Sequence, residues 1–219
     1  MVAESKTVIV TGASKGLGRA AALILGDYPV NIVLTARSAH LLEKTREEIT
    51  NKGGAAIVIP GDISSENDCR KIIYQAIESF GNIDAIINNA GVIEPITSFV
   101  DADLRDWQRN IEINIIGPAN LTKPAIPFLR KSKGRIINVS SGAAVQVIPG
   151  WSAYCTTKAA LNHFTRVIAV EEPAITSIAV RPGVVATDMQ LVIREKGVRG
   201  MPAEIHQKFM DYFKQGALL

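Results

Sequence analysis

A short β-branched run, Lys6-Thr7-Val8-Ile9-Val10-Thr11, meets the turn Gly12-Ala13-Ser14-Lys15-Gly16-Leu17-Gly18 and then the helical run Arg19-Ala20-Ala21-Ala22-Leu23-Ile24-Leu25. No other stretch constrains the chain as much. A strand, a glycine-rich turn and a helix in that order bring bare backbone N–H groups and a helix N-terminus to one point, where a diphosphate can sit. The spacing G-x-x-x-G-x-G differs from the more familiar G-x-G-x-x-G, but the physics is shared: a residue without Cβ lets the backbone approach a ligand closely. A tight strand-to-helix turn by itself explains one or two of these glycines and leaves the third without a reason.

The same alternation continues along the chain. Segments 31–36, 55–60, 84–87, 134–141 and 175–180 read as strands, and helical stretches such as 41–49, 67–80 and 104–129 separate them. Strands joined by helices of ten or more residues form a parallel sheet covered on both faces. The expected fold is α/β, a doubly wound, mostly parallel sheet with helices on both faces, in a single domain over 1–219. At 219 residues and 47% hydrophobic content the chain is long enough for one full core.

The bulk numbers exclude several classes. A net charge of +3 is a mild excess that gives no reason to expect nucleic acid. The basic cluster Arg130, Lys131, Lys133 and Arg135 reads as a helix C-terminus and solvated turn, where cations oppose the helix dipole. Cys69 and Cys155 have neither disulfide nor metal spacing, and His40, His163 and His206 add none, so no metal is expected. Residues 1–10 lack the pattern of a secretory signal and the apolar runs are of strand length, so the expectation is a cytoplasmic protein without a membrane span.

The end of the second strand discriminates between cofactors. NAD-binding sites place an acid about 20 residues past the glycines to hold the ribose 2′-hydroxyl, whereas NADP-binding sites use a nearby Arg for the 2′-phosphate. Ala36 and Arg37 stand there, and Ser14 and Lys15 in the turn add a hydroxyl and a second cation. The missing acid and the two cations favour NADP(H). Asp62, just past the third strand, can accept from an exocyclic amine such as that of adenine; it can equally cap a helix, although Ser65 is better placed for that. The fourth strand leaves through Asn88-Asn89-Ala90-Gly91, a turn that hydrogen-bonds itself while leaving room for something planar.

Tyr154 and Lys158 lie four residues apart on one predicted helix and so address a single point. A free tyrosine has a pKa of about 10. A cation ~4 Å away at an effective dielectric near 20 favours the phenolate by roughly 4 kcal/mol, which would bring Tyr154 close to working pH for general acid–base chemistry. Ser140 and Ser141 end the fifth strand, where ligands of such sheets bind. Asn114 sits among Ile111, Ile113, Ile115 and Ile116 and must find partners if buried. It either ties down a helix bend near Gly117-Pro118 or holds a water.

With these residues in place, the chain resembles the short-chain dehydrogenase/reductase family from Thr7 to about Met189, through Thr11-Gly12-x-x-x-Gly16-x-Gly18, Asn88-Asn89-Ala90-Gly91, Ser141, Tyr154-x-x-x-Lys158 and Pro182-Gly183. The resemblance implies a Rossmann fold and a catalytic tetrad of Asn114, Ser141, Tyr154 and Lys158. In that family the serine stands thirteen positions before the tyrosine, which selects Ser141 over Ser140. It further implies that Ser141 binds the substrate carbonyl, Tyr154 protonates the nascent alkoxide, Lys158 binds the nicotinamide ribose, and Asn114 holds a water. Cofactor contacts are implied for Gly12, Ser14, Lys15, Gly16, Leu17, Gly18, Arg37, Asp62, Asn89, Ala90, Gly91, Tyr154 and Lys158, with Pro182, Gly183, Val185 and Thr187 cradling the nicotinamide. Shorter strings, Glu171-Glu172-Pro173 and Thr187-Asp188-Met189-Gln190, look like the sepiapterin reductase and benzil reductase branch.

The resulting expectation is an NADPH-dependent carbonyl reductase acting on a small-molecule ketone or diketone, as a homodimer or homotetramer. The alternatives are a catalytically silent NADP-binding sensor and an NAD-dependent alcohol dehydrogenase. Residues 184–215 are expected to form a substrate loop, either a lid or a plain surface helix, with Trp151, Ile93, Val145, Val147, Met189 and Leu191 as either pocket walls or core. Because the family adds a further strand and a C-terminal segment, the chain is expected to continue beyond Leu219.

Overall fold

The computed structural model describes residues 5–218. Its strands are β1 (Lys6–Thr11), β2 (Val30–Thr35), β3 (Ala55–Val58), β4 (Ala85–Asn88), β5 (Arg135–Val139) and β6 (Thr176–Val180). They form one sheet in the order β3-β2-β1-β4-β5-β6, with every pairing parallel. The order reverses between β1 and β4, and ligands of open α/β sheets bind in the crevice outside the strand ends at that point. The expected strands are all present, three of them shorter. Segment 55–60, for example, stops at Val58, two residues before Pro60, which has no N–H to extend the ladder.

The helices are α1 (Gly16–Leu25), α2 (Ala39–Asn51), α3 (Glu66–Phe80), α4 (Leu104–Ile111), α5 (Gly117–Ser132), α6 (Ser152–Glu171), α7 (Asp188–Gly200) and α8 (Ala203–Lys214). Successive strand residues point to opposite faces, which sorts the apolar side chains into two layers. Ile9, Val33, Ile86 and Ile136 face a core shared with Ile72 and Ala76 of α3 and Leu121 and Ala125 of α5. Val8, Val10, Ile32 and Leu34 face another, with Ala22 of α1 and Leu42 and Ile49 of α2. At the β6 edge, Ile178 and Val180 remain exposed.

Local signals place the helix ends. Ser65 caps α3 by accepting from the Asp68 N–H at 3.2 Å, and Gly81, at φ 77°, closes it. The basic cluster ends α5 as expected, with Arg130 and Lys131 in its last turn and Lys133 in the left-handed region at φ 50°. The stretch expected as one helix over 104–129 is instead interrupted: α4 passes through a π-helical turn, Glu112–Ile116, before α5 begins. Such wide turns often mark functional sites, and this one carries Asn114.

The 184–215 region forms α7 and α8, and neither is a plain surface helix. Ile193, Met201 and Phe209 pack in a third cluster with Ile93, Trp151 and Tyr154. The 184–215 region is thereby fastened to the start of α6.

Candidate active site

The glycine turn is shaped by what lies behind it. Gly12 has φ 66° and Gly16 φ 55°, conformations that side-chain-bearing residues rarely adopt. A Cβ on Gly12 would stand 2.8 Å from the Asn89 amide nitrogen, and one on Gly18 would collide with the same amide and with the Gly12 carbonyl. Asn89 donates from Nδ2 to the Thr11 carbonyl at 2.9 Å, while the Thr11 hydroxyl accepts from the N–H groups of Asn89 and Ala90 at 2.9 and 3.0 Å. The exits of β1 and β4 are thus tied into one floor.

Above that floor lies a cavity of about 1100 Å³. It is lined by Gly12, Ser14, Lys15, Gly16, Leu17, Arg37, Asp62, Asn89, Ala90, Gly91, Ser141, Tyr154, Lys158, Pro182, Gly183, Val185 and Thr187. Two of the expected residues do not line it: Gly18 packs beneath the turn and Asn114 stands behind Gly91. Of the expected walls, Trp151, Ile93, Val147 and Met189 line the cavity. Val145 and Leu191 do not; they point to solvent at 69% and 47% exposure, because strand-end and helix phase cannot be fixed from an apolar residue alone.

Charge is concentrated at one end. Arg37 is exposed at the mouth, with no carboxylate partner among the described residues. Lys15 donates to Asp188 at 2.7 Å, joining the glycine turn to the start of α7. Asp62 accepts through Oδ1 from the Ser64 N–H and hydroxyl at 2.9 and 2.7 Å, and through Oδ2 from Arg109 at 3.1 Å. Burial pushes its carboxyl up, but the bonds from Ser64 and Arg109 together outweigh this and hold it below the usual carboxylate range. Arg109 lies 47 residues from Asp62 and was not foreseen.

At the other end sit the phenol and the ammonium. Tyr154 and Lys158 are 6% and 4% exposed, and Lys158 Nζ donates to the Val139 carbonyl at 2.7 Å. Burial pushes the Tyr154 phenol up, the Ser141 side chain opposes it, and Cys155 adds to the rise. Burial also lowers the Lys158 pKa to about 8. The expected pull of Lys158 on the phenol is therefore corrected: burial is the leading cause, Lys158 is not among the groups that shift the phenol, and Tyr154 holds its proton at neutrality. Ser141 Oγ accepts from the Ala143 N–H at 3.2 Å, which fixes the hydroxyl at the head of a short 3₁₀ turn, Gly142–Ala144. The Ser140 hydroxyl is buried and unpartnered.

Asn114 is committed to the protein. Its Oδ1 accepts from the Val92 N–H at 2.9 Å, and its Nδ2 lies 2.8 Å from the Val92 carbonyl and 2.7 Å from Asn110 Oδ1. Asn110, fully buried, also accepts from the Thr157 hydroxyl at 2.9 Å and donates to the Glu94 carbonyl at 2.7 Å. These bonds tie Asn114 to the 92–94 segment and to Asn110 and not to the bend at Gly117-Pro118. Asn110 and Thr157 were missed; the signal was a second asparagine one helical turn before the first.

A crevice that runs from a glycine turn to a half-buried Ser141 beside the buried Tyr154 and Lys158 defines a class of oxidoreductase, and comparison with known proteins agrees. The short chain dehydrogenase family model matches residues 6–197. An uncharacterised oxidoreductase of Schizosaccharomyces pombe is 39% identical over 215 residues, 98% of this chain and 85% of the relative. A benzil reductase ((S)-benzoin forming) of Saccharomyces cerevisiae is 33% identical over 98% of this chain and 85% of its own length. The crystal structure of the KRED1-Pglu enzyme superposes with a TM-score of 0.94 at 36% identity, covering 98% of this chain and 89% of that one. The chain belongs to the short-chain dehydrogenase/reductase family.

Proposed function

We propose that this oxidoreductase is an NADPH-dependent carbonyl reductase acting on ketones or diketones, with Tyr154 as general acid. The observation that carries the reading is the burial of Tyr154 and Lys158 together, beside Ser141, in the cavity whose far end is the glycine turn. The residues fit a dinucleotide: Gly12 and Gly16 line the cavity with bare backbone, and β2 ends without an acid beside the exposed Arg37.

The glycine turn would hold the diphosphate and Arg37, Lys15 and Ser14 the 2′-phosphate. Asp62 would take the adenine amine, and 89–91 would flank the ring. Lys158 would hold the nicotinamide ribose, with Pro182, Gly183, Val185 and Thr187 at the nicotinamide. Bound there, NADPH supplies a hydride for the carbonyl carbon. The chain's own groups act on the oxygen. Ser141 donates a hydrogen bond to it, and Tyr154, protonated at neutral pH, transfers its proton as negative charge develops. Donors preset around developing charge contribute most of the rate. Asn114 and Asn110 serve as positioning residues that fix the 92–94 wall.

Apolar walls from Ile93, Trp151 and Met189, with a benzil reductase among the relatives, support a hydrophobic ketone or diketone. Exposed Leu104 and Ile116 on the α4–α5 flank support a homodimer or homotetramer. Two free cysteines and the lack of any membrane-spanning helix among the described residues agree with the cytoplasm. The test is NADPH absorbance with a panel of diketones and aromatic aldehydes. Consumption is expected, about 10²–10⁴-fold slower in Tyr154→Phe. Tight NADPH binding with no turnover on any carbonyl would instead favour a silent sensor.

A further inference from the structure

The cavity-facing stripe of α8 is Ile205, Lys208, Phe209 and Tyr212, spaced as neighbours on one helix face. Three members are apolar or aromatic, and the fourth is a lysine. An ordinary amphipathic helix turns its charges away from such a face. The usual helical partners are at hand, Glu204 four residues before and Asp211 three after, yet Lys208 forms an ion pair with neither among the described residues. Asp211 accepts from Gln207 Nε2 at 2.8 Å instead, and the Lys208 ammonium stands over the Tyr212 ring, 5.8 Å from its centroid.

That ring begins a continuous wall. Tyr212 is edge-on to Phe209 at 6.2 Å, Phe209 is tilted on Trp151 at 5.1 Å, and Trp151 is edge-on to Tyr154 at 5.8 Å. All four rings line the cavity, so a run of packed aromatics joins the ammonium to the reacting phenol. Nothing on the wall neutralises that ammonium. The carboxylates lining the cavity are Asp62, Glu94 and Asp188, and each already has a cation, in turn Arg109, Lys196 and Lys15. Of the other lining cations, Arg37 stands by the glycine turn, Lys158 by the phenol and Arg181 at the exit of β6, which leaves Lys208 at the end of the ring wall. An unopposed charge at the edge of an apolar cleft attracts an anion more strongly than one in open water.

We propose that the substrate is an elongated keto acid, apolar or aromatic along its middle, whose far carboxylate is bound by Lys208. The assignment rests on the carbonyl-reductase reading above and narrows its substrate class. Ser141 and Tyr154 take the carbonyl, the rings of Trp151, Phe209 and Tyr212 pack along the middle, and the ammonium takes the carboxylate. A phosphate carries roughly two negative charges at neutral pH; one ammonium with no second cation on the stripe matches a monoanion. A lysine that only carried its head to water along an apolar surface would give no preference for the acid.

The test uses (4-acetylphenyl)acetate, 4-(4-acetylphenyl)butanoate and 6-(4-acetylphenyl)hexanoate, each beside its methyl ester, so that a range of tail lengths is covered and each pair contrasts an anion with its neutral ester. The acid-to-ester ratio of kcat/KM is measured in the wild type, Lys208→Met, Lys208→Glu and Lys208→Arg, so that intrinsic reactivity cancels between proteins. Lys208 is exposed, so the variants are expected to fold, and melts check this. At the best tail length the ratio is expected to fall about fivefold in Lys208→Met and further in Lys208→Glu, and to hold in Lys208→Arg. In the wild type it is expected to shrink in about 0.5 M salt. A ratio that stays constant while all four proteins reduce both members of a pair overturns the assignment and leaves carbonyl reduction standing. A constant ratio with NADPH binding weakened in Lys208→Glu, read by fluorescence titration, also overturns it and gives the ammonium to the cofactor. A wild type that reduces diketones but none of these acids and esters overturns it as well. Failure of the reading beneath shows separately, as a wild type that oxidises NADPH with none of these ketones or diketones, and that result overturns both.

Discussion

Lys158 Nζ stands 5.6 Å from the centroid of the Tyr154 ring and gives its hydrogen bond to the Val139 carbonyl at 2.7 Å, so the ammonium lies beside the phenol without bonding it. Both groups are buried, and burial moves their pKa values apart, the phenol up and the ammonium down to about 8. The pair is held with both protons on at neutral pH. That state suits a site that delivers a proton to an oxygen.

The free enzyme should therefore lose affinity for its anionic cofactor as Lys158 discharges. We expect kcat/KM for NADPH, which reports groups of the free enzyme, to be level below pH 7 and to fall as pH rises through about 8. The measurement is a pH series at fixed ionic strength. A profile flat to pH 10 would place the titration elsewhere.

The same burial predicts a trade of stability for function. Lys158 has a folded pKa near 8 against an ordinary 10.5. The folded state binds fewer protons between those values, so the group's penalty is complete below pH 8 and fades as pH rises toward 10.5. A shift of that size is worth about 3 kcal/mol at 1.36 kcal/mol per pKa unit, offset by ~1 kcal/mol for leaving the Val139 carbonyl unpaired. Lys158→Met should thus melt higher than the wild type at pH 7 and lose most of that advantage by pH 10, while reducing little or no substrate.

Arg37 and Lys15 are expected to divide the task at the 2′-phosphate. Arg37→Asp should weaken NADPH roughly a hundredfold, about 2.7 kcal/mol, and NADH far less, as a carboxylate there suits the ribose hydroxyl. Asp188→Asn releases the Lys15 ammonium from an exposed ion pair worth at most about 1 kcal/mol. NADPH should then bind up to about fivefold tighter, with a smaller change for NADH, both read by fluorescence titration.

Asn110 holds four groups at once, the Val92 and Glu94 carbonyls, Asn114 and Thr157. Asn110→Val should destabilise the fold by about 2–4 kcal/mol, since it leaves several buried groups unpaired, and should lower kcat more than it raises KM for NADPH. Combined with Thr157→Val the losses should be less than additive, because the two share a hydrogen bond. Denaturant melts and steady-state kinetics on the four proteins decide it.

What could be read from the chain was local. Gly12, Gly16 and Gly18 follow a strand and open a helix, and Tyr154 and Lys158 share a helix face, so spacing placed the glycines in one turn and the phenol and ammonium beside each other. Ser65 and the 130–135 cluster marked helix ends for the same reason. What spacing could not carry was burial and distance. The Tyr154 pKa depends on how completely the phenol is desolvated, which the four-residue interval does not encode. Asp62 meets Arg109 across 47 positions, and Asn114 meets Val92 across 22. The π turn at Glu112–Ile116 left no mark in a run where isoleucines fit either helical phase. Val145 and Leu191 were misplaced because an apolar side chain does not by itself reveal which way it points; both are exposed.

The most direct measurement follows one atom. NADPH carrying deuterium at the transferable C4 position is incubated with the protein and 1-phenylpropane-1,2-dione, and the product is examined by mass spectrometry and NMR. The account predicts one deuterium on the carbinol carbon, at a rate that collapses in Tyr154→Phe. NADPH that binds tightly and returns unoxidised, with no labelled alcohol from this or any other ketone, would contradict it.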